Sequence, residues 1–139
     1  MMVRTLTLVL NTRGNADCQD ITAQVAAAIS ESGLTSGTVT VFCPSATSAI
    51  TTIEFETGAV KDLRRLFDEI LPPSREYAHN ARWADGNGHS HVRAALLGPS
   101  LTIPIIDRRL TLGTWQQVIH IDFDVHPRRR ELVLQLIGE

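Results

Sequence analysis

Apolar positions along the chain fall into runs with two periods. Leu6, Leu8 and Leu10 alternate with Thr5, Thr7 and Val9 over residues 3–10, the period of a strand. Ile21, Val25, Ala28 and Ile29 recur at i, i+4, i+7 and i+8. They predict a helix that starts at Asp17 or Asp20 as cap and stops at Gly33. Residues 38–43 and 49–54 are β-branched runs that predict strands, separated by the small-residue turn 44–48. Val60, Leu63, Phe67, Ile70 and Leu71 stripe a second helix over 59–71, ended by Pro72 and Pro73. Residues 72–88 carry no period and predict a long loop, followed by a short helix over 92–97 that Gly98 closes. Beyond it, 101–106, 109–112, 115–123 and 132–136 read as strands joined by tight turns at 107–108 and 126–128. Strands interrupted by two main helices predict an α+β fold, a largely antiparallel or mixed β-sheet sandwich.

Composition narrows the picture. At 139 residues, against roughly 150 per domain, residues 1–139 are expected to form one domain. Thirteen basic and fifteen acidic residues leave a net charge of −2, without the basic footprint that nucleic-acid binding needs. No apolar run approaches the ~18 residues of a membrane span. The alternating N-terminus carries no secretory pattern, and two cysteines, Cys18 and Cys43, make no disulfide framework. A soluble protein of the cytoplasm, with no nucleic-acid and no membrane partner, is the expectation. Twelve of the thirteen basic residues are arginine, whose planar fork suits carboxylate and phosphate.

Candidate chemistry concentrates in residues 77–91, where three of the five histidines, His79, His89 and His91, lie near Asp85 and Asn87. Neutral imidazole is a common metal ligand. Three protein ligands with an open fourth position are the arrangement of catalytic zinc sites. His89 and His91 share one face if their stretch is extended, and diverge on a helix. The same composition also suits a polar surface loop, or a helix entry satisfied by His89 and Ser90. Glu54, at a strand end, is a candidate general base if burial raises it, or else a solvated strand end. Thr47 and Ser48 offer hydroxyl and backbone N–H groups to an anion, or simply make the turn. Trp115 is expected in the core or at a subunit interface. Gln116 either reaches the pocket or makes a cross-strand contact, and His120 is expected as an ordinary sheet residue.

The stretches Tyr77-x-His79-Asn80, Asp85-Gly86-Asn87-Gly88-His89-Ser90-His91 and Leu112-Gly113-Thr114-Trp115-Gln116 together resemble the YjbQ-like family. So do Leu97-Gly98-Pro99-Ser100, Ile103-Pro104 and the turn from Asp122-Phe123-Asp124 to Arg130. The resemblance implies compact α+β subunits assembled as homotrimers, and a secondary thiamine-phosphate-synthase activity that joins a pyrimidine pyrophosphate to a thiazole phosphate. By position it implies that His79, His89 and His91 hold a divalent metal, zinc or magnesium, in a pocket near Asp85 and Asn87. Asp85 and Glu54 are then the candidate catalytic carboxylates, Thr47, Ser48, Asn87 and Gln116 the substrate contacts, and a small phosphorylated metabolite the substrate. One departure is Ser45, which aligns with a turn histidine of many family members. A metal-dependent hydrolase and a metabolite- or ion-binding trimer without turnover are the alternative readings.

Overall fold

A computed structural model describes residues 1–139 as eight strands and four helices. Every strand pairing is antiparallel, in two sheets. The larger sheet has the order β1 (Met2–Thr12), β8 (Arg128–Gly138), β3 (Gly37–Phe42), β5 (Ser100–Ile106), β6 (Arg109–Leu110). The smaller has the order β2 (Asp17–Asp20), β7 (Gln117–Asp122), β4 (Ser48–Ile53).

The layers follow from alternation. Leu132, Leu134 and Leu136 of β8 and Val39 and Val41 of β3 turn inward. There they meet Ile21, Val25, Ala28 and Ile29, three of them on α1 (Thr22–Ser32), and Ile50 and Val118 of the smaller sheet. The opposite face of the smaller sheet, with Ala49, Ile119 and Ile121, is covered by α2 (Thr57–Ile70) through Val60 and Phe67. Ala94 of α4 (Gly88–Leu97) completes that cover. Phe67 and Phe123 meet edge to face at 5.0 Å, and full burial of each ring is worth about 2–3 kcal/mol. The outer face of the larger sheet has no such cover. Val3 is 60 % exposed there, alongside Val9, Phe42, Ile106 and Ile137.

Several expected elements move. Asp17 and Asp20 do not cap α1 as its first residues; residues 17–20 form β2, paired with β7. The Asp20 carboxylate instead accepts from the Thr22 backbone and hydroxyl at the helix entry. The long loop contains a short helix, α3 (Ala78–Trp83), and α4 starts at Gly88, four residues ahead of the expected start. Trp115 is not in the core, being 72 % exposed.

Candidate functional site

Two helices and the turn between them build the site. Tyr77 anchors the start of α3, its ring buried and its hydroxyl donating to the Pro72 carbonyl at 2.9 Å. Ala84 closes α3 in the left-handed region, φ 55°, with its N–H on the Asn80 carbonyl. The Asn80 side chain then accepts from the Gly88 N–H at 2.9 Å, locking the first turn of α4 against α3. Gly88 is required at that contact. A Cβ there would stand 2.5 Å from the Tyr77 Cβ.

This clamp brings His79 beside His91. Their ring centroids are 4.4 Å apart, and Asp85 Oδ1 lies 3.3 Å from His79 Nδ1. The Asn87 amide nitrogen, in the orientation that satisfies both residues, donates to both Asp85 oxygens at 2.9 and 3.2 Å. Asn87 holds Asp85, and Asp85 stands at ion-pair distance from the His79 ring. His91 also borders a cleft of about 300 Å³ with Ser45, Ala94, Ala95 and Pro99. Trp83, one helical turn beyond His79, is largely exposed, with Arg82 over its ring at 5.3 Å.

His89 takes another direction because its stretch is helical, so residues two apart diverge. It is buried, 6.3 Å from the Tyr77 ring, and its Nδ1 has no hydrogen-bond partner. Burial, reinforced by the Arg93 guanidinium, holds it below its ordinary value of 6.5. Arg93 itself lies near Phe67 and Phe123 and donates to the Leu71 carbonyl and to Asp68. No three His, Cys, Asp or Glu side chains of one chain are arranged to hold a metal ion. The expected three-histidine convergence therefore reduces, within one chain, to the pair His79 and His91.

The remaining candidates are dispersed. Glu54 lies exposed just past β4, without the burial that a raised general base needs. Thr47 is committed inward, donating to Asp124 at 3.1 Å and accepting from Arg130 at 2.9 Å. Ser48 sits opposite Asp122 in the β4–β7 register, and its hydroxyl is buried without a partner. Gln116 spends its amide locally, donating to the Thr52 hydroxyl and accepting from the Gly113 N–H. His120 is completely buried with neither ring nitrogen partnered, and burial pushes it down to about 4.

A buried ionic cluster lies at the end of β7. Arg130 forks onto Asp122, and Thr12 donates to the same carboxylate at 2.6 Å. Arg128 and Thr47 meet Asp124. Burial pushes both carboxyls up, but the Arg130 and Thr12 bonds on Asp122 outweigh it, as do those of Val125 N–H, Thr47 and Arg128 on Asp124; both are held below the usual carboxylate range. Its visible signal is Asp122-Phe123-Asp124 closing an apolar strand just before three arginines.

Known proteins place this chain clearly. A family model described as UPF0047 protein YjbQ-like matches residues 6–139. A UPF0047 protein of Methanothermobacter thermautotrophicus is 36 % identical over 139 residues, covering 100 % of this chain and 95 % of its own length. The UPF0047 protein YugU of Bacillus subtilis is 35 % identical over 133 residues, 95 % of this chain and 98 % of that one. Among solved structures, a YbjQ-like protein of unknown function from Sulfolobus solfataricus P2 superposes with a TM-score of 0.94 at 30 % identity, covering 99 % of both chains.

Proposed function

We propose that this chain, which belongs to the UPF0047 YjbQ-like family, is an enzyme acting on a small phosphorylated molecule at His79 and His91. One observation carries the reading: two imidazoles 4.4 Å apart, one of them with a carboxylate oxygen 3.3 Å from its Nδ1 and an amide that holds that carboxylate. A carboxylate beside the second ring nitrogen is a common companion of ligating histidines. His79 and His91 would hold a divalent ion, and a nitrogen donor set suits zinc better than magnesium. Such an ion, when bound, supplies Lewis-acid stabilisation of phosphate oxygens or an activated water. Because His89 does not join the pair, the remaining positions fall to water, substrate or a second copy of the chain.

The chain's own groups have definable work. Asp85 sets a carboxylate oxygen beside His79 Nδ1. His91 presents its ring to the cleft with Ser45, Ala94, Ala95 and Pro99, which shields one side of a bound molecule. This machinery is compatible with transfer between two phosphorylated partners or with hydrolysis of one.

A second reading, metabolite binding without turnover, is favoured by the placement of Glu54. It lies exposed at the end of β4, so Asp85 is the only one of the two candidate carboxylates that meets the histidine pair. Metal analysis of untagged protein separates the readings, combined with product detection on phosphorylated substrates. The expected result is about one ion per chain, lost in His79→Ala and His91→Ala and kept in His89→Leu. Asp85→Asn keeps the ion more weakly and loses turnover. Wild-type metal content in both His79→Ala and His91→Ala would sink the metal assignment, and turnover unchanged by Asp85→Asn would sink the catalytic one.

A further inference from the structure

β1 is the longest strand at an edge of either sheet, and its eleven residues pair with β8 on one side only. Hydrogen bonds at the end of β8 fix which of its main-chain groups face outward. Glu139, just past β8, exchanges main-chain bonds of 2.9 and 3.0 Å with Ser36, just before β3. Odd-numbered residues of β8 therefore turn their main chain to β3, and even-numbered ones turn theirs to β1. The register then bonds the even-numbered residues of β1 to β8 and points Val3, Thr5, Thr7 and Val9 at the open edge. Asn11, of the same parity, has its carbonyl taken by the Gln19 side chain at 2.9 Å. No other group of the chain bonds the main chain of Val3, Thr5, Thr7 or Val9.

Free edges of this length are normally blunted by lysine, proline or a bulge. β1 has none of these. Its register with β8 is unbroken over residues 2–12, and Arg4 is its one charged residue. Residues 3–9, Val-Arg-Thr-Leu-Thr-Leu-Val, instead read the same from either end apart from Arg4 and Leu8. A two-fold axis at Leu6 sets Val3 opposite Val9, and Thr5 opposite Thr7, of a second copy. All four residues turn their main chain outward, so each such pair exchanges both N–H···O=C bonds. Leu6 meets the partner's Leu6 on the inner face, where Leu6 and Leu8 are only half-buried in one chain. Leu8 gains the aliphatic stem of the partner's Arg4.

We propose that β1 is a docking edge for a second copy of this chain, pairing antiparallel with the partner's β1 about a two-fold axis at Leu6. Two five-stranded sheets then run on as one. A ring with three-fold symmetry alone contains no two-fold contact, so this edge lies outside the trimer that the family resemblance implies. Where that trimer forms, the edge joins two trimers into a closed assembly. One strand per copy falls short of the roughly 20–30 residues a side of a standard interface, so the pairing is weak and depends on concentration.

Sedimentation velocity from about 10 μM to about 1 mM tests the pairing, and the mass is expected to double across that range whatever the starting unit. Thr5→Pro removes an outward N–H and no bond to β8, so it keeps the thermal midpoint and abolishes the doubling. Leu6→Cys reads the register. Position 6 meets its own copy at a non-hydrogen-bonded pair, where side chains lie closest, so mild oxidation links this variant into a covalent dimer. Val3→Cys, whose mate in this register is Val9, stays unlinked; Cys18 and Cys43 are buried in both variants. Constant mass across the range overturns the proposal, as does doubling that survives in a folded Thr5→Pro. So does equal cross-linking, or none, at positions 6 and 3, and that comparison decides alone if Thr5→Pro fails to fold.

Discussion

Arg130 and Asp122 meet as a two-pronged pair across the end of the sandwich, Nε to Oδ2 at 2.7 Å and Nη2 to Oδ1 at 3.0 Å. The carboxylate is fully buried and the guanidinium nearly so. Removing one partner leaves an uncompensated charge in the interior, which typically costs about 3–5 kcal/mol. Arg130→Ala should therefore lose stability on that scale in chemical denaturation, and Asp122→Asn should be destabilised in the same direction. Loss below about 1 kcal/mol in Arg130→Ala would mean that the cluster is solvated in solution.

His120 predicts a distinct pH response. In the unfolded chain it titrates near 6.5, whereas in the fold burial lowers it to about 4. Between those values the unfolded state binds a proton that the folded state refuses, so stability falls as pH drops from 6.5 towards 4. At roughly 1.4 kcal/mol per pH unit the loss approaches about 3 kcal/mol. His120→Leu should flatten this part of the profile. It should also hold or raise stability at pH 7, because two unpartnered ring nitrogens leave the core. Parallel pH profiles for the two proteins would show that His120 finds partners in solution.

Much of this architecture was legible because its signal is local. The spacing of Ile21, Val25, Ala28 and Ile29 marks the buried face at α1, and the alternation of Leu132, Leu134 and Leu136 marks that of β8. β2 was hidden because Asp17-Cys18-Gln19-Asp20 has no strand-like composition; its pairing with β7 overrides propensity. In the site, Asp85 beside His79 lies within reach of sequence reasoning, since only five residues separate them. The direction of His89 is not, because it depends on α4 beginning at Gly88. That start is set by the Asn80 side chain and the Tyr77 contact. Likewise the Asp122 cluster joins Thr12, Thr47 and Arg130, residues whose separation along the chain leaves no pattern to read.

Gly88 links the fold to the site, and replacing it tests that link. A Cβ at this position overlaps Tyr77 at 2.5 Å, with the Asn80 oxygen at 3.0 Å. Gly88→Ala must push α3 away from α4, a strain of about 1–3 kcal/mol. Because the same contact sets His79 against His91, ligand or metal binding at the pair should weaken more than global stability does. Thermal unfolding and metal titration of this variant check both effects; unchanged metal affinity would detach the histidine pair from the clamp.

The homotrimer that the family resemblance implies has a candidate contact surface in the uncovered face of the larger sheet. Val3 stands opposite Ile137, and Phe42 opposite Val133, on the side that no helix reaches. Between these apolar pairs runs the polar row Thr5, Gln135, Thr40 and Thr102, and such a mixed face suits a partner surface that combines apolar and polar groups. Closed cyclic symmetry lets one such surface serve every subunit. Light scattering should give about three times the chain mass at micromolar concentration. Val3→Asp with Ile137→Lys places charges on this face while leaving Leu132, Leu134 and Leu136 in the core, so the fold should survive as a smaller species. A monomeric wild type would refute the assembly. A trimer that tolerates both charges would place its contacts on another face, with exposed Trp115 and Leu96 the next surfaces to test.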